Sequence, residues 1–251
     1  MKILLHACCG PCSLEPVRLL KEQGYELVIG YMNSNIHPNE EYRHRLETLL
    51  AWARDEGIEV VEGEWNPANW TQAVGTPDTW GEGHINRCRA CYRERLQKAA
   101  QYAAENGFEG LSTTLAVSPY QFSEVIHEEL IVAAEAQGLV PIFQDFRPNY
   151  PEATRRSRAL GMYRQNFCGC APSKKEAEEE RAEAKRQRAA ERARREAELA
   201  PQRAAEEAER QKRKAERAAY EAKQHAKRLA RDAARKAYKQ AQLAAEASRE
   251  Q

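Results

Sequence analysis

Beyond Pro172 this chain has nothing to build a core from. Every cysteine and tryptophan, and all of the Val and Ile, lie before that point, and a segment without them buries too little apolar surface to offset the entropy of ordering. Residues 173–251 are instead low-complexity Ala, Glu, Lys, Arg and Gln, with 23 Lys and Arg against 16 Asp and Glu. The whole chain has 39 against 38, which leaves 16 against 22 for residues 1–172. A near-neutral total therefore joins an acidic body to a basic extension. Two domains are expected: a compact one over 1–172, and a helical or partly disordered extension over 173–251. In the extension, Glu191/Arg195, Glu206/Arg210 and Glu209/Arg213 stand at i,i+4 in the favourable order, each pair worth about 0.2–0.5 kcal/mol to a helix. Leu199, Tyr220, Leu229, Tyr238 and Leu243 hold no heptad, which argues for a solvated helix rather than a coiled coil. Pro201 is expected to break or kink it.

In the body, short apolar runs alternate with helical stripes. Ile3–Ala7 reads as a strand, and Leu14, Val17, Leu19 and Leu20 as a helix closed by Gly24. Leu27–Ile36 reads as a strand, Glu40–Glu56 as a helix, and Ile58–Glu62 as a strand. Residues 65–87, with three tryptophans, two prolines and three glycines, read as an ordered loop. Cys88–Asn106 is helical, followed by a strand at Gly110–Leu115, a helix at Gln121–Gln137 and a strand at Leu139–Phe143. This alternation predicts an α/β domain: a parallel sheet with helices on both faces. Ligands of such sheets sit at the C-terminal strand ends, where Cys8, Asn33, Thr113 and Asp145 are expected to converge.

The seven cysteines fall into three groups: Cys8-Cys9-x-x-Cys12, Cys88-x-x-Cys91 and Cys168-x-Cys170. Thiolates at such spacing hold iron–sulfur clusters, hold zinc, or cycle through a disulfide. Cys8 and Cys9 stand at a strand-to-helix turn, where free backbone N–H groups favour anions. Adjacent cysteines do not readily reach the Cα separation that disulfides prefer, so they suit metal ligation better. Cys88 and Cys91 open a helix, and with Cys8 and Cys9 they make four thiolates, a set that fits zinc or [4Fe–4S]. A structural zinc on those four would leave Cys12, Cys168 and Cys170 without a role. Cys168 and Cys170, separated by the flexible Gly169, read as a reversible dithiol, the rivals being a second metal or a packed turn. Cys12 could face a second iron.

The polar companions carry two readings each. Thr113 and Thr114 end a strand and either cap the next helix or bind ligand. Arg87, Arg89, Arg93 and Arg95 flank Cys91, and Arg155, Arg156, Arg158 and Arg164 lead into Cys168. Beside a redox centre in an acidic domain they fit RNA phosphates, or else helix-surface ion pairs. His6, His37, His44, His84 and His127 have no ligand spacing and read as packing or surface residues. The opening Met1–Ala7 is too short for a signal sequence, no stretch is apolar enough to span a membrane, and the odd, closely spaced cysteines fit a reducing compartment, so a soluble cytoplasmic protein is expected.

Five motifs together resemble the cobalamin-independent epoxyqueuosine reductases of tRNA modification. They are His6-x-Cys8-Cys9-x-Pro11-Cys12, Cys88-x-x-Cys91-Tyr92-x-x-Arg95-Leu96, Thr113-Thr114-Leu115-x-x-Ser118-Pro119-Tyr120, Asp145-Phe146-Arg147 and Tyr163-Arg164-Gln165-x-x-Cys168-x-Cys170. They cover nearly all of residues 1–172. The resemblance implies a three-layer, nucleotide α-hydrolase-like domain related to the PP-loop enzymes, with Cys8–Cys12 standing where those enzymes carry a phosphate loop. It implies two-electron removal of the epoxide oxygen at the tRNA wobble position, the last step of queuosine synthesis. By the same resemblance, Cys8, Cys9, Cys88 and Cys91 hold a [4Fe–4S] cluster, an additional iron can stand in or beside it, and the Cys168/Cys170 dithiol supplies or relays electrons. The implied partners are tRNA carrying epoxyqueuosine and an unidentified electron donor, with no membrane. An iron–sulfur tRNA-thiolating enzyme and a zinc-stabilised RNA-binding adaptor are the alternative readings. The basic extension lies outside the resemblance and is expected to help hold tRNA.

Overall fold

Strand β1 (Lys2–His6) shows why this body is layered. Ile3 and Leu5 enter one buried cluster, while Leu4 enters another on the opposite face, the period-two alternation of a strand covered on both sides. β2 (Glu26–Tyr31) repeats the pattern, with Leu27, Ile29 and Tyr31 on the first face and Val28 on the second. The structure, a computed structural model, describes residues 1–247. Its sheet has five strands in the order β3-β2-β1-β4-β5, with β3 at Val60–Glu62, β4 at Gly110–Thr113 and β5 at Val140–Pro141. All four pairings are parallel.

Helices α1 (Gly10–Glu22) and α2 (Asn39–Asp55) lay Leu14, Val17, Leu20, Tyr42, Leu46 and Leu49 on the first face. Between β3 and β4 the chain forms α3 (Pro67–Val74) and α4 (Ile85–Glu105). α4 and α5 (Ser123–Glu135) cover the second face with Tyr92, Leu96, Ala99, Ile126 and Leu130. α6 (Tyr150–Ala159) joins the first layer through Ala153. The strand order reverses at β1, between β2 and β4, and such a switch point opens a crevice beyond the strand ends. Cys8 follows β1 and Thr114 follows β4, so both stand at that crevice.

Several boundaries differ from the sequence pattern. β2 stops at Tyr31 because the chain turns at Asn33, whose carbonyl accepts from the Ile36 N–H at 3.1 Å. The expected loop over 65–87 contains α3, capped where Asn66 accepts from the Asn69 N–H at 3.2 Å. α4 begins at Ile85, one turn before Cys88. β4 ends at Thr113, whose hydroxyl accepts from the Leu115 N–H at 3.2 Å, so the capping role holds for that residue. α6 has no counterpart in the apolar periodicity.

The last helix, α7 (Ala171–Ala247), runs through Pro201, so the expected break is absent. One lost backbone bond inside a long, Ala-rich helix does not end it. The chain divides into two compact units at Glu180/Arg181, which leaves the first residues of α7 in the unit that holds the sheet. In the second unit Tyr220, Leu229 and Tyr238 are exposed. Among the described residues, no helix is long and apolar enough to cross a membrane.

Candidate functional site

The β1–α1 turn brings three sulfurs together. The Sγ atoms of Cys8, Cys9 and Cys12 all lie within 4.8 Å of one another, with Cys8 and Cys9 3.8 Å apart. Cys9 takes extended backbone before α1, and Pro11 follows in the first turn, a proline position that removes no intrahelical bond. The Cys8 thiol is held well below its ordinary range, by hydrogen bonds from Cys12 and then Cys9. Those protons have an electrostatic consequence: Cys12 is pushed well above its ordinary range by Cys8 and Cys9. Cys9 is pulled down by Cys12 but driven up more by Cys8 and by burial, to about 12. Of the three, Cys8 is thus the sulfur that gives up its proton most readily. Three sulfurs at this spacing, Cys9 buried and Cys8 and Cys12 partly buried, suit a soft metal ion.

The sulfurs meet two buried arginines. Arg95, on α4, donates to Asn33 Oδ1, while Asn33 Nδ2 donates to the Ala7 carbonyl at 2.8 Å. Arg95 is electrostatically coupled to Cys91, Cys8 and Cys168, and so links all three cysteine groups. Arg45, on α2, is 1% exposed and acts on Cys9 and Cys8. His6 is neutral, its pKa lowered to about 3 by burial and by Arg95. Its Nδ1 lies 3.0 Å from Thr113 Oγ1.

The other two cysteine groups lie together. Cys91 and Cys170 pack in one buried cluster with Trp70 and Val74. Burial raises Cys88 and Cys91 to about 12 each, and the sulfurs of Cys168 and Cys170 add to both shifts. Cys168 is raised by burial and by Cys170, against the pull of Arg95, Gln121 and Arg45. Gln121 Nε2 sits 3.6 Å from Cys168 Sγ, and Gln165 Nε2 sits 2.9 Å from Cys9 Sγ. Gln165 Oε1 and both amide atoms of Asn35 are buried without a protein partner, which fits a bound group in this crevice.

A family model described as epoxyqueuosine reductase QueH matches residues 3–176, a span that takes in all seven cysteines. The chain belongs to the epoxyqueuosine reductase QueH family. Proteins of that name from Thermotoga maritima and Dehalococcoides mccartyi are 34% and 32% identical to it, over 74% and 70% of this chain and 97% and 93% of theirs. One from Acinetobacter baylyi is 34% identical over 67% of this chain and 78% of its own. The family match ends at residue 176, within the first unit.

Spacing alone groups Cys8 and Cys9 with Cys88 and Cys91; in the structure Cys12 joins Cys8 and Cys9, and Cys88 and Cys91 stand beside Cys168 and Cys170. The arginines near Cys91 and Cys168 mostly form internal pairs. Arg89 and Arg93 bind Glu129, Arg87 binds Glu176, Arg155 binds Glu152 and Arg156 binds Glu15. Asp145 pairs with Arg147 at the surface. His84, expected to be a packing or surface residue, has its Nδ1 3.3 Å from Cys88 Sγ. The i,i+4 spacing of His84 and Cys88 is the signal for that pair. Asn35, Glu41 and Arg45 also reach the site, from a stretch whose sequence pattern shows only a strand end and a helix.

Proposed function

We propose that this chain reduces epoxyqueuosine in tRNA to queuosine, using its cysteine centre at the sheet's switch point. Its family membership carries this reading: the match runs from β1 through Cys170. The reaction is oxidoreduction: the epoxide gains two electrons and two protons and leaves an alkene and water. Cys8, Cys9, Cys88 and Cys91 are proposed to hold a [4Fe–4S] cluster, with Cys12 facing an additional iron. When bound, such a centre supplies single electrons and a Lewis-acidic site for the epoxide oxygen. The Cys168/Cys170 dithiol would supply the pair: two thiols and the epoxide give one disulfide, the alkene and water, with the thiol hydrogens leaving in the water. A separate donor would then reduce the disulfide.

The domain is proposed to be a PP-loop-related variant. Its β1–α1 turn carries cysteines where an ATP user needs a phosphate loop, which disfavours tRNA thiolation through an adenylated base. Tyr120 is 81% exposed, stands edge-on to Tyr150 at 6.3 Å, and precedes the Gln121 that contacts Cys168. It is proposed to stack on a base of the substrate RNA. Residues 173–251 are proposed to add non-specific tRNA contact.

The test is to purify the protein without oxygen, assay iron, zinc and sulfide, and follow the modified nucleoside by mass spectrometry. About four iron and four sulfide per chain with conversion to queuosine supports the reading. Stoichiometric zinc without sulfide, and no loss of epoxide, overturns it in favour of an RNA-binding adaptor.

A further inference from the structure

The turn that carries Cys168 and Cys170 is latched at four consecutive carbonyls. Arg45 Nη2 donates to the Phe167 carbonyl at 3.2 Å and Nη1 to the Cys168 carbonyl at 2.9 Å. The His37 N–H donates to the Gly169 carbonyl at 2.9 Å, and Ser173 Oγ donates to the Cys170 carbonyl at 2.8 Å. Gly169 has φ 138°, open to glycine but strained for other residues. A Cβ there would stand 3.2 Å from Arg45 Nη1 and 3.1 Å from Asn35 Nδ2. Arg45 thus closes on the turn from one side.

The guanidinium is itself fixed. It lies over the Phe167 ring at 5.0 Å, and Nε donates to Glu41 Oε1 at 2.6 Å. The Tyr163 hydroxyl holds the other Glu41 oxygen at 2.6 Å. An arginine fork can hold two acceptors at once, which a lysine point charge cannot reproduce. The latched turn keeps the two sulfurs in different surroundings. Cys168 Sγ faces Gln121, while Cys170 packs with Trp70, Val74 and Cys91, and both are free thiols. Closing a disulfide imposes its own Cβ separation and torsion on the turn, which the four latched carbonyls restrain.

We infer that Arg45 is a positioning residue that holds the Cys168–Gly169–Cys170 turn in its dithiol form, ready to give up two electrons and two protons as the disulfide closes. The inference rests on the dithiol role proposed above. Without the clamp the disulfide closes more easily and the dithiol becomes the stronger reductant. At the same time the sulfurs lose their fixed aim at the crevice. Substrate reduction therefore slows although its driving force grows.

The experiment equilibrates the full-length protein in dithiothreitol buffers of graded ratio, quenches with an alkylating agent, and reads the Cys168/Cys170 peptide by mass spectrometry. Arg45→Gln should move the dithiol–disulfide equilibrium about tenfold toward disulfide, or about 30 mV more negative for this two-electron couple. Arg45→Lys should fail to restore the wild-type midpoint. Tyr163→Phe keeps the buried charge but loosens Glu41, and should shift the midpoint in the same direction by a smaller amount, which keeps the test informative should Arg45→Gln not fold. An unchanged or more positive midpoint in Tyr163→Phe and in a folded Arg45→Gln overturns the inference. A wild-type protein that forms no disulfide between these cysteines at any ratio overturns the dithiol role instead.

Discussion

Cutting the chain after Pro172, where composition changes, should cost far more than cutting it after Glu180. The eight residues between include two that the sheet-bearing unit uses. Ser173 Oγ accepts from the Gly169 N–H at 3.2 Å and donates to the Cys170 carbonyl at 2.8 Å. Two such neutral bonds are worth about 1 kcal/mol each. Glu176 receives both Nη atoms of Arg87, whose side chain is 2% exposed and lies 4.8 Å from the Trp80 ring. Charged hydrogen bonds are worth about 1.5–3 kcal/mol each, and removing one partner strands the other charge in the interior. Glu176 is one-third exposed, so water screens part of this and the pair belongs near the lower end, at about 2 kcal/mol in all. The shorter protein should therefore be about 4 kcal/mol less stable, a large share of the roughly 5–15 kcal/mol a domain has. At about 2–4 °C per kcal/mol for this size, the melting temperature should fall by about 8–16 °C. Urea titration of both truncations, at matched metal content, measures the difference. Glu176→Gln in the longer protein should account for about half of it. Midpoints that agree to within about 0.5 kcal/mol would mean that α7 contributes nothing to the body and that the reasoning is wrong.

Three further outcomes are expected. Cys12→Ser should lose only the iron beyond about four per chain, whereas Cys88→Ser or Cys91→Ser should abolish the cluster's visible absorption; iron and sulfide assays on anaerobic protein read both. Tyr120→Ala should weaken binding of an anticodon stem-loop about tenfold at fixed salt while Tyr120→Phe retains it, in fluorescence titrations. Burial works against the Glu129 carboxylate, but Arg93 and Arg89 hold its pKa below the ordinary value, so its stabilisation is present above about pH 4.3 and is lost as pH falls through the shifted value. The acid limb of a pH–stability curve should accordingly be shallower in Glu129→Gln than in the wild type.

Local chemistry makes much of this legible in the sequence. The buried strands announce themselves because they are covered on both faces, and β1 and β4 overlap the expected runs closely, while β2 fills the first half of its run. The cysteine groups are visible by spacing, and the strand-end rule brings Cys8, Asn33 and Thr113 to one crevice. What spacing cannot supply is pairing across the fold. Whether Cys12 turns toward Cys8 depends on the first turn of α1, and whether Cys91 meets Cys170 depends on where α7 begins. α6 is hidden because it carries no apolar stripe: only Ala153 and Ser157 are buried, and three of its ten residues are arginine. The compositional boundary at Pro172 falls short of the one at Glu180 for a related reason. Glu176 looks like any glutamate of the extension until Arg87, 89 residues earlier, is placed beside it.

The buried arginines give an argument about charge that no motif supplies. A guanidinium is protonated at any pH a protein meets, so Arg45 and Arg95, each 1% exposed, bring two positive charges into the interior. Glu41 answers Arg45. Arg95 donates to the neutral Asn33 and lies within electrostatic reach of Cys91, Cys8 and Cys168, of which Cys8 is the one held below its ordinary range. An isolated charge in that position costs several kcal/mol, so its presence calls for anionic sulfur nearby. Metal ligation demands the same state, because a coordinating thiol gives up its proton. Protonated thiols would leave Arg95 uncompensated. Thiolates bound to a cation would temper the repulsion among themselves and keep Arg95 in balance. Arg95 is thus best satisfied when the proposed ligands Cys8 and Cys91 are deprotonated, with Cys168 left to the dithiol.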